Sequence, residues 1–219
     1  ALRLLLLNPN STQEVTDRIA KAAALYRQPG VEITVATAVK GPAAIETSYD
    51  ELVASNAVLE ELNARRDTFD GAAICCFSDP GLLAAQELFE QPIVGMCQSA
   101  VYFSSLFSRR FSILGSCDQG DIGAFINEMK GYGAAERLAS VEYLGTGVLG
   151  VPDHITDEIS EKIDACIKKE GVGAVLLGCA AFSGLSEELS KKHGIFVSEG
   201  IGPAIMTLKM LIERKQTLK

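Results

Sequence analysis

Short apolar runs alternate along this chain with longer amphipathic segments. The runs occupy residues 3–8, 31–37, 72–76, 92–97, 111–115, 140–144, 174–178 and 195–199. Each is apolar almost throughout, the pattern of strands buried on both faces. The intervals carry helical spacing. Val15, Ile19, Ala22 and Ala23 make one stripe, and Ile159, Ile163, Cys166 and Ile167 make another. This alternation predicts an α/β fold with parallel strands and helices on both faces, because parallel neighbours need a crossover between them.

The pattern occurs twice. Leu5–Asn8 corresponds to Ser112–Gly115, Cys76 to Cys179, and Pro92–Gly95 to Gly194–Val197. The three matches keep their order at a separation of roughly a hundred residues, which points to internal duplication. The expected architecture is two lobes related by a pseudo-twofold axis, each a four-stranded parallel sheet flanked by helices. The lobes are expected at 1–97 and 98–200, with the C-terminal helix 201–216 a candidate to complete the first. Ligands of parallel sheets bind beyond the carboxyl ends of the strands. Cys76 and Cys179 both end apolar runs, so an active site between the lobes would receive them from opposite sides.

Composition narrows the function. The 219 residues are 47% hydrophobic and 22% charged, as in a packed globular protein. The formal charge of −8 argues against nucleic-acid binding and leaves a small-molecule substrate as the expected partner. No apolar stretch approaches the roughly 18 residues of a membrane span. Leu2–Leu7 runs directly into Asn8-Pro9-Asn10, so it reads as a strand and not as the core of a signal peptide. The expected setting is the cytoplasm, with reduced thiols. Six Cys without a C-x-x-C pair, and only two His, give no zinc pattern, so neither a metal nor a cofactor is expected.

Asp79 followed by Pro80 reads as the start of a helix, with Asp79 as N-cap. Cys76 would then lie just before a helix N-terminus, where backbone N–H groups and the helix dipole favour a thiolate. Cys179 precedes a second turn of the same kind. Cys75 lies inside its run, and neighbouring strand residues face opposite sides, so Cys76 is the reactive member of that pair. Cys75, Cys97, Cys117 and Cys166 read as small buried hydrophobes. Ser11 with Glu14 reads as a capping box after the first strand. Asn8 and Ser116 stand at the ends of equivalent strands as candidate substrate contacts. The run Gly145–Gly150 matches G-x-G-x-x-G, but Val151-Pro152 interrupts any helix there and no acid follows at the required distance, so a loop beside the cleft is expected. His154 and His193 lie away from both cysteine motifs.

Three segments together resemble the Asp/Glu/hydantoin racemase superfamily, and its hydantoin and allantoin racemase branch in particular. They are Asn8-Pro9-Asn10-Ser11-Thr12, Cys76-Phe77-Ser78-Asp79-Pro80-Gly81-Leu82 and Leu177-Gly178-Cys179-Ala180. The resemblance implies cofactor-independent racemisation by two cysteines, matching Cys76 and Cys179, and a homo-oligomer. It also implies substrate contacts at Asn8, Ser78, Ser116, Ala180 and Ala181, partly through backbone N–H groups; Asp79, in the turn of Cys76, joins the expected set. Three strand ends depart from the family pattern: Gly115-Ser116 in place of a Thr pair, Cys97-Gln98 in place of Cys-Glu, and Glu199-Gly200 in place of Asp-Gly. The expected reaction is proton exchange at C5 of a 5-substituted hydantoin or allantoin. A decarboxylase or cis–trans isomerase of the same superfamily, and a non-catalytic metabolite-binding protein, are the alternatives.

Overall fold

The computed structural model describes residues 1–117, 122–149, 151–152 and 155–218. The first half contains β1 (Leu2–Asn8), α1 (Gln13–Ala24), β2 (Val31–Thr37), α2 (Ser48–Ala64), β3 (Gly71–Ile74), α3 (Leu82–Leu88), β4 (Ile93–Gly95) and α4 (Met96–Ser104). The second contains β5 (Phe111–Gly115), α5 (Ile122–Gly131), β6 (Leu138–Tyr143), α6 (Thr156–Glu170), β7 (Ala174–Leu177), α7 (Ser186–His193), β8 (Phe196–Ser198) and α8 (Ile201–Thr217). Each half forms a four-stranded sheet, in the order β2-β1-β3-β4 and β6-β5-β7-β8. Every strand pair is parallel. The expected α/β class and duplicated sheets are therefore present, with the same strand order in both copies.

The apolar runs are continuous because each sheet is covered twice. Leu5, Leu7, Ala72 and Ile74 pack outward under α2 and α3, with Val58, Leu62, Leu82 and Ala85. In the other half, Leu114, Val175 and Leu177 pack outward under α6 and α7, with Ile159, Ile163 and Leu189. The alternate residues face inward into one shared core. Leu4, Leu6, Ala73 and Val94 of the first sheet join Ile113, Ala174 and Leu176 of the second there. Between the sheets lie α1, α4 and α8, through Val15, Ile19, Ala100, Val101, Ile205 and Leu208. Helix α8 lies against the first sheet: a Cβ at Gly71 would stand 3.1 Å from both Leu208 and Ile212 side chains.

Two local readings change. Residue 97 belongs to a helix and not to a strand, since β4 stops at Gly95 and α4 begins at Met96. The reason is tertiary: the Asp79 carboxylate accepts hydrogen bonds from the Cys97 N–H (3.0 Å) and the Gln98 N–H (2.7 Å). Asp79 thus caps α4 and not its own helix, which starts at Leu82 after Gly81. Gly95 has to be glycine, because a Cβ there would lie 2.1 Å from the Asp79 carboxylate carbon. The capping box expected at Ser11 and Glu14 also does not form. Helix α1 has Thr12 as N-cap with no side-chain cap, and the Asn10 side chain accepts the Thr12 N–H instead.

Helices α4 and α8 are equivalent in the two halves and meet at the centre. Gly200, at φ 104°, lets the start of α8 approach so closely that a Cβ would stand 2.2 Å from the Met96 carbonyl oxygen. With one core spanning both sheets, the halves are expected to unfold together. Leu208→Ala should lower stability by about 2–5 kcal/mol. Urea titration followed by far-UV and near-UV signals should give one coincident transition for both proteins; two separated transitions would show independently folding lobes.

Candidate active site

The chain leaves both central strands in the same way. The Cys75 N–H donates to Leu7 O (2.8 Å) and the Gly178 N–H donates to Leu114 O (2.8 Å), each adding a last rung to its sheet. Cys76 and Cys179 are the next residues, the first to leave the sheets. Both line a cavity of about 410 Å³, within the usual size of a small-molecule site. Phe77 and Ser78 of the first half line it, as do Ser116, Cys117, Gly178 and Ala180 of the second. The remaining wall includes Cys75, Asn10 and Val15, residues 45–48 and Glu51 around the start of α2, Val148, and Ala124, Phe125, Asn127 and Glu128 of α5.

The two sulfurs have matching surroundings. Cys76 Sγ lies 3.5 Å from the Ser78 hydroxyl and also meets the Ser78 backbone N–H. Cys179 meets the Ser116 hydroxyl and the Ala181 backbone N–H. Each thiol therefore has one hydroxyl and the N–H two residues further on. These groups favour the thiolate, but burial outweighs them. It pushes the Cys76 thiol up to about 12 and raises that of Cys179. The expectation of acidic thiols at helix N-termini is thus reversed. Five residues separate Cys76 from Leu82, and Cys179 is followed by only a three-residue 3-10 helix, Ala180–Phe182. Ionised Cys179 further opposes the ionisation of Cys76, so a single negative charge on the pair is favoured over two.

Each turn is braced from the other half. The Tyr132 hydroxyl, just after α5, donates to the Asp79 carboxylate (2.6 Å), and Phe125 of α5 packs edge-on to Phe77 at 6.0 Å. In return, the Arg18 guanidinium of α1 donates to Ala181 O (3.2 Å). Asp79 adopts φ 44° and is 5% exposed. Its carboxyl, raised to about 7 by burial against these bonds, points away from the cavity and holds the turn. Asn8 likewise stands behind the wall. Its amide donates to Asn10 Oδ1 (2.8 Å) and Thr16 Oγ1 (3.0 Å) and accepts the Asn10 N–H (3.2 Å). Asn10 is the residue of this turn that lines the cavity. Of the other expected contacts, Ser78, Ser116 and Ala180 line it, and Ala181 reaches Cys179 through its N–H.

Sequence reasoning passed over the α2 and α5 contributions. One signal was available: Thr47 and Asp50 form a capping box, with Asp50 N donating to Thr47 Oγ1 and Thr47 N to Asp50 Oδ2, and this fixes the start of α2 at the cavity. Glu46 beside it accepts the Val148 N–H (2.9 Å), joining loops of the two halves at the cavity. The Gly145–Gly147 part of the glycine motif is an irregular loop folded onto the Ser116 carbonyl; Gly150 lies outside the described residues. His193 is remote, bonded to Ser160 Oγ (2.8 Å) and Asp164 Oδ1 (3.0 Å); His154 lies outside the described residues. No helix is long and apolar enough to cross a membrane among the described residues.

The Asp/Glu/hydantoin racemase family model matches residues 4–206. The chain is 31% identical to the hydantoin racemase of Paenarthrobacter aurescens over 96% of its own length and 91% of that protein. It superimposes on the allantoin racemase from Klebsiella pneumoniae with a TM-score of 0.94 at 28% identity, covering 98% of this chain and 89% of that one. A variant of arylmalonate decarboxylase shares the fold alone, with a TM-score of 0.72 at 14% identity over 97% of this chain and 93% of that one. Sequence, fold and the paired cysteine turns place this chain in the Asp/Glu/hydantoin racemase family, on its hydantoin and allantoin racemase branch.

Proposed function

We propose that this protein racemises 5-substituted hydantoins or allantoin by exchanging the C5 hydrogen between Cys76 and Cys179. The observation that carries the reading is the placement of both thiols, at equivalent turn positions, on one cavity of about 410 Å³. The C5–H bond is weakened by the adjacent ring carbonyl. One thiolate removes the proton from one face and becomes a thiol; the carbanion delocalises as an enolate; the opposite thiol protonates the other face and becomes the thiolate. Charge and protons balance, and the enzyme is left with its sulfurs exchanged in role. Turn N–H groups near the ring carbonyl would stabilise the enolate. The chemistry needs one thiolate and one thiol at a time, and the mutual repulsion of the sulfurs favours that state.

The cavity wall also bears on the alternative reactions. Glu46, Glu51 and Glu128 line it, and no Lys, Arg or His does among the described residues. A dianionic substrate such as a malonate would meet like charge there, whereas a neutral hydantoin ring would not.

Cys76→Ser and Cys179→Ser should each slow racemisation by about a thousandfold or more. Each should still exchange the C5 hydrogen of one enantiomer with solvent deuterium, the two variants choosing opposite enantiomers. Polarimetry with proton NMR in D2O reads both quantities. Full racemisation in either variant would remove the two-thiol mechanism.

Burial lifts the thiol pKa, so little thiolate exists at neutral pH, and the reactive fraction grows as pH rises toward the raised value. The free-enzyme rate kcat/KM should therefore climb by about tenfold per pH unit from neutrality into the mildly alkaline range. A profile already flat at neutral pH would mean that a thiolate preexists in the free enzyme.

A further inference from the structure

We propose that the site selects a C5 substituent that is long and ends in a cation, an ammonium or guanidinium, and rejects one that ends in a carboxylate. This inference deepens the racemase reading and rests on it. It begins from the shape of the site. A second hollow of about 560 Å³ adjoins the reaction cavity and shares Ser48, Glu51, Ser78 and Glu128 with it. These four residues line both spaces, and a passage between the two would run past them. Beyond it, Leu52, Leu83 and Tyr132 give the second hollow an apolar lining. A substituent on a ring held between the sulfurs has this route outward, past Ser78 and between the two glutamates.

Among the described residues, the charged side chains that line the two hollows are all carboxylates. Glu51 of α2 and Glu128 of α5 come from opposite halves and are close enough for Glu51 to oppose the ionisation of Glu128. Asp79, which itself lines the second hollow, acts in the same direction, so burial and like charge raise the Glu128 carboxyl to about 8. The nearby phenol of Tyr132 donates to Asp79 and also meets the Glu128 carboxyl. Arg18, whose charge is felt at Cys179, donates to Ala181 O and to Glu14. A cationic group in the passage would favour the ionised form of Glu128 and donate charge-assisted hydrogen bonds to both carboxylates. An alkyl stem would meanwhile cover the apolar lining, as the stems of Lys and Arg do on protein surfaces. A carboxylate at the same place would add a further negative charge to a partly desolvated site.

The test uses the purified protein and three hydantoins with four-carbon substituents at C5: 4-aminobutyl, n-butyl and 3-carboxypropyl. Binding is measured by calorimetry and racemisation by polarimetry, for the native protein and for Glu51→Gln and Glu128→Gln. The aminobutyl compound should bind about tenfold to a hundredfold more tightly than the butyl compound, and the carboxypropyl compound should bind most weakly. Each substitution should shrink the aminobutyl-to-butyl ratio toward unity, through KM and not kcat, and should improve the carboxypropyl compound. Thermal melting of both variants confirms that they are folded. Equal or tighter binding of the butyl compound, or ratios unchanged in both folded variants, would overturn the inference while leaving the racemase reading intact. The predicted binding order without turnover of any of the three would support the selection and overturn the racemase reading.

Discussion

A carboxylate buried against the first turn of a neighbouring helix organises this molecule. Asp79 ends the turn that carries Cys76, yet its oxygens receive the N–H groups of Cys97 and Gln98 at the start of α4. Those donors have no partner within their own helix, and a buried carboxylate is costly without such donors, so each side resolves the other's deficit. The arrangement tolerates a left-handed backbone at Asp79, which costs of order 1–3 kcal/mol on its own. Tyr132 completes the set from the opposite half. The position of the first sulfur is thereby tied to α4 and α5 at once.

The duplicate copy reaches the same outcome by other means. The residue equivalent to Asp79 is Phe182, fully buried in the outer core of the second half. Its turn is held by apolar packing and by Arg18 on the Ala181 carbonyl. The helix equivalent to α4 is α8, and there Glu199 supplies the buried carboxylate, meeting the Ile201 N–H and the Ser186 hydroxyl. Both copies thus place a carboxylate on the N-terminus of their last helix, from different positions in the chain. The environments of the two sulfurs match more closely than the scaffolds behind them.

The central strands were legible because burial on both faces writes itself as apolar runs, whereas the edge strands β2 and β6 are only partly buried and carry Glu32 and Glu142; the duplication was legible because equivalent runs kept their order. The cysteine turns were legible for the same reason. The true start of α4 was not, since it depends on a carboxylate 18 residues away in sequence. Nor was the thiol acidity: a Pro after an Asp suggested a helix dipole beside Cys76, but the backbone turns at Asp79 and the helix begins too late to act. Asn8 showed the limit of a strand-end reading, because its amide faces into its own turn while Asn10 faces the cavity. Glu51 and Glu128 carried no local signal, being brought together only when α2 and α5 meet across the halves.

The contact of Gly200 with the Met96 carbonyl gives the central crossing almost no slack. Any side chain at that position would wedge the two copies apart at the point around which they are arranged. The cavity lined by Cys76 and Cys179 would widen with them, although Gly200 is not among the residues that line it. The spacing of the reacting groups is in this sense a property of the crossing point. Libraries aimed at altering the size of that cavity have a lever there, outside the residues that line it.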